Sequence, residues 1–405
     1  MTAELTRGLT PGRERWLLAV LGGVQFSAIL DFMLLMPLGP QLMRLFDLTP
    51  GEFGVLVSVY MATASAVGFA AALVVDRFDR RATLLALYAC FTATTLVTAT
   101  AQSHEWLLAA RAAAGAFAGV LIATVLAIVA DAIPDGRRGR ALGAVMSAGT
   151  IASIVGIPLG IWLASRWSWR TPFFANGALC AAVLAAAAVL VPRVRGHVAE
   201  ARAGAALARA RAVFARANHL AAFGVTMLLN FSGFAIIPFL AAYLVLNVGV
   251  TERELPLTYF VGGLVSLAFV RLVGRLTDLH GRRRVFALVA GVSIAAAFVS
   301  THLPAVPLWA AVLSQVLLMA SFAGRFVPAM TIVTGAAAPG VRGIFMSFNA
   351  AFQQLAAGLA SLAASAIVAR GPGGELLYFG AVGWLSMVAT FAAIALAGHV
   401  RPAAQ

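Results

Sequence analysis

Twelve stretches of this chain are each long and apolar enough to cross a lipid bilayer, and this narrows the possible folds more than any other feature. A helix needs about 20 apolar residues to span about 30 Å of hydrocarbon. The stretches run approximately over 16–41, 53–75, 82–101, 106–130, 141–164, 172–192, 219–246, 255–275, 285–302, 307–334, 343–369 and 376–398. They are too long and too rich in Gly and Ala for barrel strands, which alternate over short segments. Only a helix closes its own backbone hydrogen bonds in lipid. The pattern predicts an all-α integral membrane protein with twelve transmembrane helices. Composition agrees, because 61% of the 405 residues are hydrophobic and only 11% are charged. A soluble surface carries about 25% charge. The first stretch follows Arg13 and Arg15 as a secretory leader would. It is too long for a leader's apolar region and lacks a clear small-residue cleavage site, so it is expected to be a retained span.

All 29 basic residues are arginine, against 15 acidic ones, giving a net charge of +14. Such an excess can signal nucleic acid, but its placement argues otherwise. With the N-terminus on the cytoplasmic side, 21 arginines fall on that side and five (Arg44, Arg166, Arg170, Arg253 and Arg370) on the other. The positive-inside rule then places both termini and the 193–217 linker in the cytoplasm. No nucleic-acid partner is expected; the lipid bilayer is. The Arg/Ala-rich linker can be read as a helix on the anionic inner leaflet or as a solvated tether. Cys90 and Cys180 fall inside spans with no metal-ligand spacing and read as small buried hydrophobes.

The halves repeat. Ala72-Leu73-Val74-Val75-Asp76-Arg77-Phe78-Asp79-Arg80-Arg81 follows span 2, and Gly274-Arg275-Leu276-Thr277-Asp278-Leu279-His280-Gly281-Arg282-Arg283 follows span 8, with Asp76 and Asp278 202 residues apart. Pro134 to Gly139 after span 4 matches Pro339 to Gly343 after span 10 at an offset of about 204. Six spans, a linker and six more spans predict bundles over 1–192 and 218–405 joined by 193–217. Parallel repeats of this kind are a transporter plan with the substrate site at the midplane between halves.

The two loops resemble the G-x-L-x-D-R-x-G-R-R signature of the major facilitator superfamily. Leu107 to Gly115, with Arg111 embedded, resembles its fourth-helix motif, and Gly149 to Gly160, with Gly156-Ile157-Pro158-Leu159-Gly160, resembles its exporter-associated fifth-helix motif. Ala72 and Asp79 replace signature glycines, and Ile157 separates the usual Gly-Pro pair. Within the superfamily the chain is most similar to bacterial sugar- and drug-efflux permeases of the proton-antiporter branch. The resemblance implies a monomeric transporter of the bacterial inner membrane that moves small amphipathic, drug- or sugar-like molecules by alternating access, exporting them by proton antiport without any cofactor. It also implies a gating role for the loop residues Asp76, Arg77, Arg80, Arg81, Asp278 and Arg282. Asp76 would latch onto the start of span 11. In span 5, Pro158 favours a bend and Gly156 and Gly160 allow close packing, which suits rocking at the interface between halves.

Ionisable residues deep in spans cost at least about 2.5–3.5 kcal/mol and are functional candidates. Asp31, Arg111 and Arg325 qualify, and Asp31 is the sole deep carboxylate. Burial disfavours its charge and a nearby arginine favours it, so Asp31 with Arg111 is the candidate for proton coupling; a permanent structural pair is the alternative. Arg325 requires a loop carboxylate, backbone carbonyls or an anionic substrate. Gln25, Phe26, Asn230, Phe234, Arg325, Asn349 and Gln353 are the candidate substrate contacts, with helix packing the alternative for each amide and aromatic residue. The sequence has no nucleotide-binding loop, metal-ligand cluster or nucleophile triad, so no enzymatic activity is expected. An importer or facilitator of a small, possibly anionic metabolite is the second functional expectation.

Overall fold

The structure is a computed structural model that describes residues 11–74, 78–192 and 203–403. Among the described residues twelve helices are long and apolar enough to cross a membrane: Gly12–Leu34, Pro50–Leu73, Arg80–Ala99, His104–Ala132, Gly136–Arg166 and Thr171–Leu190 (spans 1–6), then Ala217–Val248, Leu255–His280, Arg282–Thr301, Leu308–Gly335, Arg342–Ile367 and Phe379–His399 (spans 7–12). The chain is thus a multi-pass membrane protein. Five tryptophans, Trp106, Trp162, Trp167, Trp309 and Trp384, are exposed near the helix ends opposite the termini, as in an interfacial aromatic belt. That end is the arginine-poor face; the end holding the termini and linker is the arginine-rich face.

Span 1 stops earlier than its apolar run suggests. The helix ends at Leu34, and a turn leads into a short helix, Gly39–Leu45. Pro37 and Pro40 are the cause, since a proline disfavours helical backbone in the residue before it and cannot donate to the ladder. A second departure from an all-helical chain is the two-residue hairpin Ala369–Arg370 with Leu376–Leu377. Asn247 at the end of span 7 bonds both the N–H and the carbonyl of Leu376 and fixes the hairpin there.

The repeat is visible in matched arginine bonds. Arg80 pairs with Asp131 at the end of span 4, Nε to Oδ2, at 3.2 Å. Its counterpart Arg282 donates to the Thr331 carbonyl in span 10 at 3.3 Å. Arg81 donates to Ala188 at the end of span 6, and Arg283 to Val400 after span 12 at 2.6 Å. Each arginine therefore ties helices within its own half in this conformation. Asp278 is exposed. Asp76 and Arg77 lie outside the described residues.

The apolar cores show how the halves meet. On the arginine-poor side one continuous core includes Leu34, Phe53, Leu56 and Phe173 from the first half and Phe239, Leu244 and Phe379 from the second. On the arginine-rich side the first half has its own core, including Leu17, Leu84, Leu121 and Val145. The second half has another, including Phe223, Phe286, Ile332 and Phe345, against which Phe69 and Leu73 of span 2 pack. The core shared by both halves closes the arginine-poor face, while towards the other face span 2 still packs on the second half.

The described part of the linker, from residue 203 onward, packs on the protein. Ala203–Phe214 is helical, Ala210 and Val213 are buried, and the Phe214 ring lies 4.9 Å from that of Phe348 in span 11. His219 Nδ1 meets the Val213 carbonyl at 2.9 Å. Apolar burial docks this helix on the second half. Cys180 is buried as expected, but Cys90 faces outward.

Candidate functional site: a buried ion pair beneath the closed face

Span 4 approaches span 2 through glycine. A Cβ on Gly115 would fall 2.1 Å from the Tyr60 carbonyl oxygen, and one on Gly119 2.3 Å from that of Ala64. The missing side chains bring the two backbones into contact and put Arg111, one turn earlier, over the Tyr60 ring, with Cζ 4.3 Å from its centroid. Gly115→Leu is expected to lower stability by about 1–3 kcal/mol or more, as overpacking does, and to move Arg111. Unchanged thermal unfolding of that variant would contradict this packing.

Asp31 and Arg111 come together as the sequence suggests. Arg111 Nη1 donates to Asp31 Oδ2 at 2.6 Å, with both side chains buried. Thr95 of span 3 donates its hydroxyl to Asp31 Oδ1 at 3.1 Å. Arg111 Nε has no partner among the described residues. The pair sits nearer the arginine-poor face than the apolar run implied, because span 1 ends only three residues beyond Asp31. One turn towards the arginine-rich face, Ser27 bonds Tyr88 Oη at 2.8 Å, and Asn176 donates to the Ser27 carbonyl at 3.1 Å. Thr95 reads in sequence as an ordinary span residue, since a hydroxyl in an apolar helix usually satisfies itself on its own backbone.

Arg325 has a different environment. Nη1 donates to Ser293 at 2.9 Å and Thr390 at 3.0 Å, Nη2 to Ser232 at 2.8 Å and the Leu229 carbonyl at 3.4 Å. Its Cζ lies 4.0 Å from the Phe322 ring centroid. Of the three expected sources of compensation, a backbone carbonyl supplies one bond. The other three come from hydroxyls, which the sequence reading did not weigh. Among the described residues no carboxylate pairs with Arg325. Its bonds clamp spans 7, 9, 10 and 12 together.

A cavity of about 330 Å³ lies in the wall of the first half, lined by Leu18, Gly22, Gly23 and Phe26 of span 1 and by Ala144, Ser147 and Ile151 of span 5. A Cβ on Gly263 of span 8 would lie 3.2 Å from Ile154 Cα, so the halves touch there. Ile151 and Ser147 are one and two turns nearer the arginine-rich face and line open space. Ser147 is the only polar side chain in the lining.

Span 5 differs from expectation in two respects. Ala152–Gly156 forms a π turn directly before Pro158. The widened turn accommodates the carbonyl that Pro158 cannot satisfy. Gly156 and Gly160 face span 1 rather than the other half: added Cβ atoms would meet Leu30 Cδ1 at 2.9 Å and Leu34 Cδ2 at 2.2 Å.

The remaining candidates are dispersed. Phe26 lines the cavity. Gln25 is buried with Oε1 unpartnered among the described residues. Asn230 donates to Thr226 on its own helix at 2.9 Å. Phe234 meets Phe32 across the halves at 5.7 Å. Asn349 is buried with neither polar atom partnered among the described residues, and Gln353 is half-buried.

Sequence reasoning missed the polar closure of the arginine-poor face. Glu252, in the loop after span 7, accepts from Gln41 Nε2 at 2.9 Å and from Arg44 Nη2, both on the short helix of the first half. Asp47 and Arg370 form a second, longer cross-half pair at 3.7 Å. Scarcity was the available signal, since an acid and a base are both uncommon on a face with so few charges.

The family model described as Major Facilitator Superfamily matches residues 21–227. A chloramphenicol resistance protein of Streptomyces lividans is 28% identical over 240 residues, 59% of this chain and 61% of that protein. A probable sugar efflux transporter of Mannheimia succiniciproducens is 26% identical over 149 residues, 37% of this chain and 38% of that one. The matches thus span less than two thirds of these relatives' lengths. Two solved structures share the fold. The nucleoside transporter NupG has a TM-score of 0.74 at 14% identity, covering 96% of this chain and 99% of the other. A D-xylose-proton symporter has a TM-score of 0.73 at 17% identity, covering 94% and 96%. With the family match covering half the chain and twelve membrane-spanning helices in the matching fold, this protein is a member of the major facilitator superfamily.

Proposed function

We propose that the chain is a proton-driven exporter of small, uncharged, largely apolar molecules, working by alternating access. The buried Asp31–Arg111 pair is the observation that carries this reading. A buried carboxylate paired with one arginine and one hydroxyl can exist charged beside its partner or neutral away from it, which is what a proton-coupled cycle requires. No cofactor is needed. Orientation follows from the arginine distribution: termini and linker in the bacterial cytoplasm, the closed face outward, the protein a monomer in the inner membrane with halves over 1–192 and 218–405. Relatives named for chloramphenicol resistance and sugar efflux support export.

The first-half wall of the expected path favours a lipophilic solute. Sugars require several placed hydrogen-bonding groups, and Ser147 is the one polar side chain there. The second reading, an importer or facilitator of an anionic metabolite, draws on a relative named as a probable 4-methylmuconolactone transporter. It has less support, because both Nη atoms of Arg325 are already bonded within the second half. A thermal-shift screen of purified protein against phenicols, other uncharged aromatics, sugars, nucleosides and organic acids tests the choice, since a ligand of the folded state raises Tm. Uncharged aromatics should stabilise, more weakly at acidic pH where protons compete, and Asp31→Asn should remove that pH dependence. Stabilisation by sugars or organic acids alone would contradict the proposal.

A further inference from the structure

The two seams between the halves differ along their length. Spans 2 and 11 stay together over most of theirs. A Cβ on Gly54 would fall 2.1 Å from Ser365 Cβ. Ser361 donates to the Gly54 carbonyl at 3.1 Å, and Ser65 to the Ala351 carbonyl at 2.9 Å. Nearer the arginine-rich face Phe69 meets Phe352 edge-on, with centroids 4.9 Å apart. Phe214 of the linker helix packs on the same aromatic group, 4.9 Å from Phe348 and 6.3 Å from Phe352.

Spans 5 and 8 behave otherwise. They touch at Ile154 and Gly263, where an added Cβ would lie 3.2 Å from Ile154 and 3.4 Å from the Ser153 carbonyl oxygen. Gly143 of span 5 and Gly274 of span 8 each lie 11 residues from that contact, on its arginine-rich side. Eleven residues make about three turns, so both glycines return to the faces that meet at Gly263. A Cβ on either would meet nothing within 4 Å. The two helices have therefore parted, and they leave a slot about 16 Å deep. That depth is roughly the inner half of an about 30 Å hydrocarbon layer.

We propose that the slot between spans 5 and 8 is an entrance through which uncharged solutes dissolved in the inner leaflet reach the space between the halves. Its chemistry selects for them. Span 5 carries no charged residue between Arg140 and Arg166, and span 8 none between Glu254 and Arg271. An ion leaving water for the slot would find no counter-charge along these stretches. An apolar solute is already gathered in the leaflet by the hydrophobic effect. Arg140 and Arg271 are exposed and mark the headgroup level, to which long basic side chains reach. Ser147 and Ile151, between Gly143 and Ile154 on span 5, also line the cavity of about 330 Å³. The cavity therefore adjoins the slot and can hold an arriving solute. Among the described residues the opposite seam offers no equivalent path, because Phe69, Phe348, Phe352 and Phe214 fill it.

The entrance rests on the export reading for its role, and one experiment separates the two. Nitroxide labels are placed at Gly143→Cys and Gly274→Cys in the full chain carrying Cys90→Ala, reconstituted in vesicles. Gly291→Cys on span 9, exposed and also without a neighbour within 4 Å of an added Cβ, is the lipid-facing reference. Oxygen, which concentrates in hydrocarbon, should relax the slot labels as strongly as the reference. A water-soluble nickel chelate should relax all three weakly. Diphenylhexatriene, an uncharged aromatic probe dissolved in the membrane, should be quenched more by the slot labels than by the reference. Met146→Cys, 60% exposed one turn along span 5, serves if a glycine variant does not fold. Nickel relaxation exceeding oxygen relaxation in the slot, or quenching no greater than at Gly291→Cys, would overturn the entrance and leave proton-driven export intact. Strong slot quenching in a protein that a pH gradient does not drive would uphold the entrance and defeat the export reading.

Discussion

Arg111→Ala is expected to lower the stability of the folded protein by about 3–5 kcal/mol, the usual cost of removing one partner from a buried ion pair, and to abolish transport. The cost arises because Asp31 would keep only the Thr95 hydroxyl as a partner in a site closed to water. Neutralising both members, as in Asp31→Asn with Arg111→Gln, should restore most of the stability, since two neutral polar groups of similar size leave no buried charge. It should not restore transport. Thermal unfolding in detergent measures the first effect, and solute flux in vesicles the second. Equal destabilisation in the single and double variants would show that the arginine acts by packing and not by pairing.

Glu252→Arg is expected to open the arginine-poor face. The native carboxylate is partly exposed and accepts from Gln41 and Arg44. A partly exposed pair is worth at most about 1 kcal/mol, and reversal substitutes repulsion for that attraction. A change of about 1–2 kcal/mol alters the ratio of closed to open molecules roughly 5- to 30-fold. Labelling of a cysteine introduced as Phe239→Cys, inside the shared core, by a membrane-impermeant thiol reagent reads the change. Faster labelling in Glu252→Arg, returned towards the native rate by Arg44→Glu in the same chain, is the expected result. An unaltered rate in Glu252→Arg would mean that the apolar core alone holds this face shut.

Much of the architecture was legible because lipid imposes simple rules. Every expected span corresponds to a helix. The 202-residue offset between Arg80 and Arg282 reappears as matched bonds to spans 4 and 10. Asp31 and Arg111 were identifiable because unpaired charge in hydrocarbon is costly, so two opposite charges in neighbouring spans seek each other. The features that could not be read are those set by tertiary packing. Span 1 ends at Leu34 because Pro37 and Pro40 act inside a run that is apolar throughout, and hydropathy does not register backbone geometry. The glycines of span 5 were expected to serve the interface between halves, but they accommodate Leu30 and Leu34 of span 1, and Gly263 is the small residue that meets span 5 across the seam. No periodicity distinguishes the two faces of a helix that is apolar all round.

Arg325 shows the same limit in the choice of partners. A charge search looks for carboxylates, yet its bonds go to Ser232, Ser293 and Thr390, residues spread over three spans that carry no sequence signal of a shared site. Thr95 was overlooked for a similar reason. Its role and that of Tyr60 come from lying against Asp31 and Arg111, and the place of Tyr60 depends on Gly115 allowing spans 2 and 4 to touch.

Solute accumulation in proteoliposomes under an imposed pH gradient, compared between the native protein and Asp31→Asn, tests the proton-coupled reading most directly. The solute is an uncharged aromatic compound that stabilises the purified protein. The native chain should concentrate it against its gradient while protons move the opposite way, and Asp31→Asn should bind it without concentrating it. Accumulation by Asp31→Asn equal to that of the native protein would contradict the account.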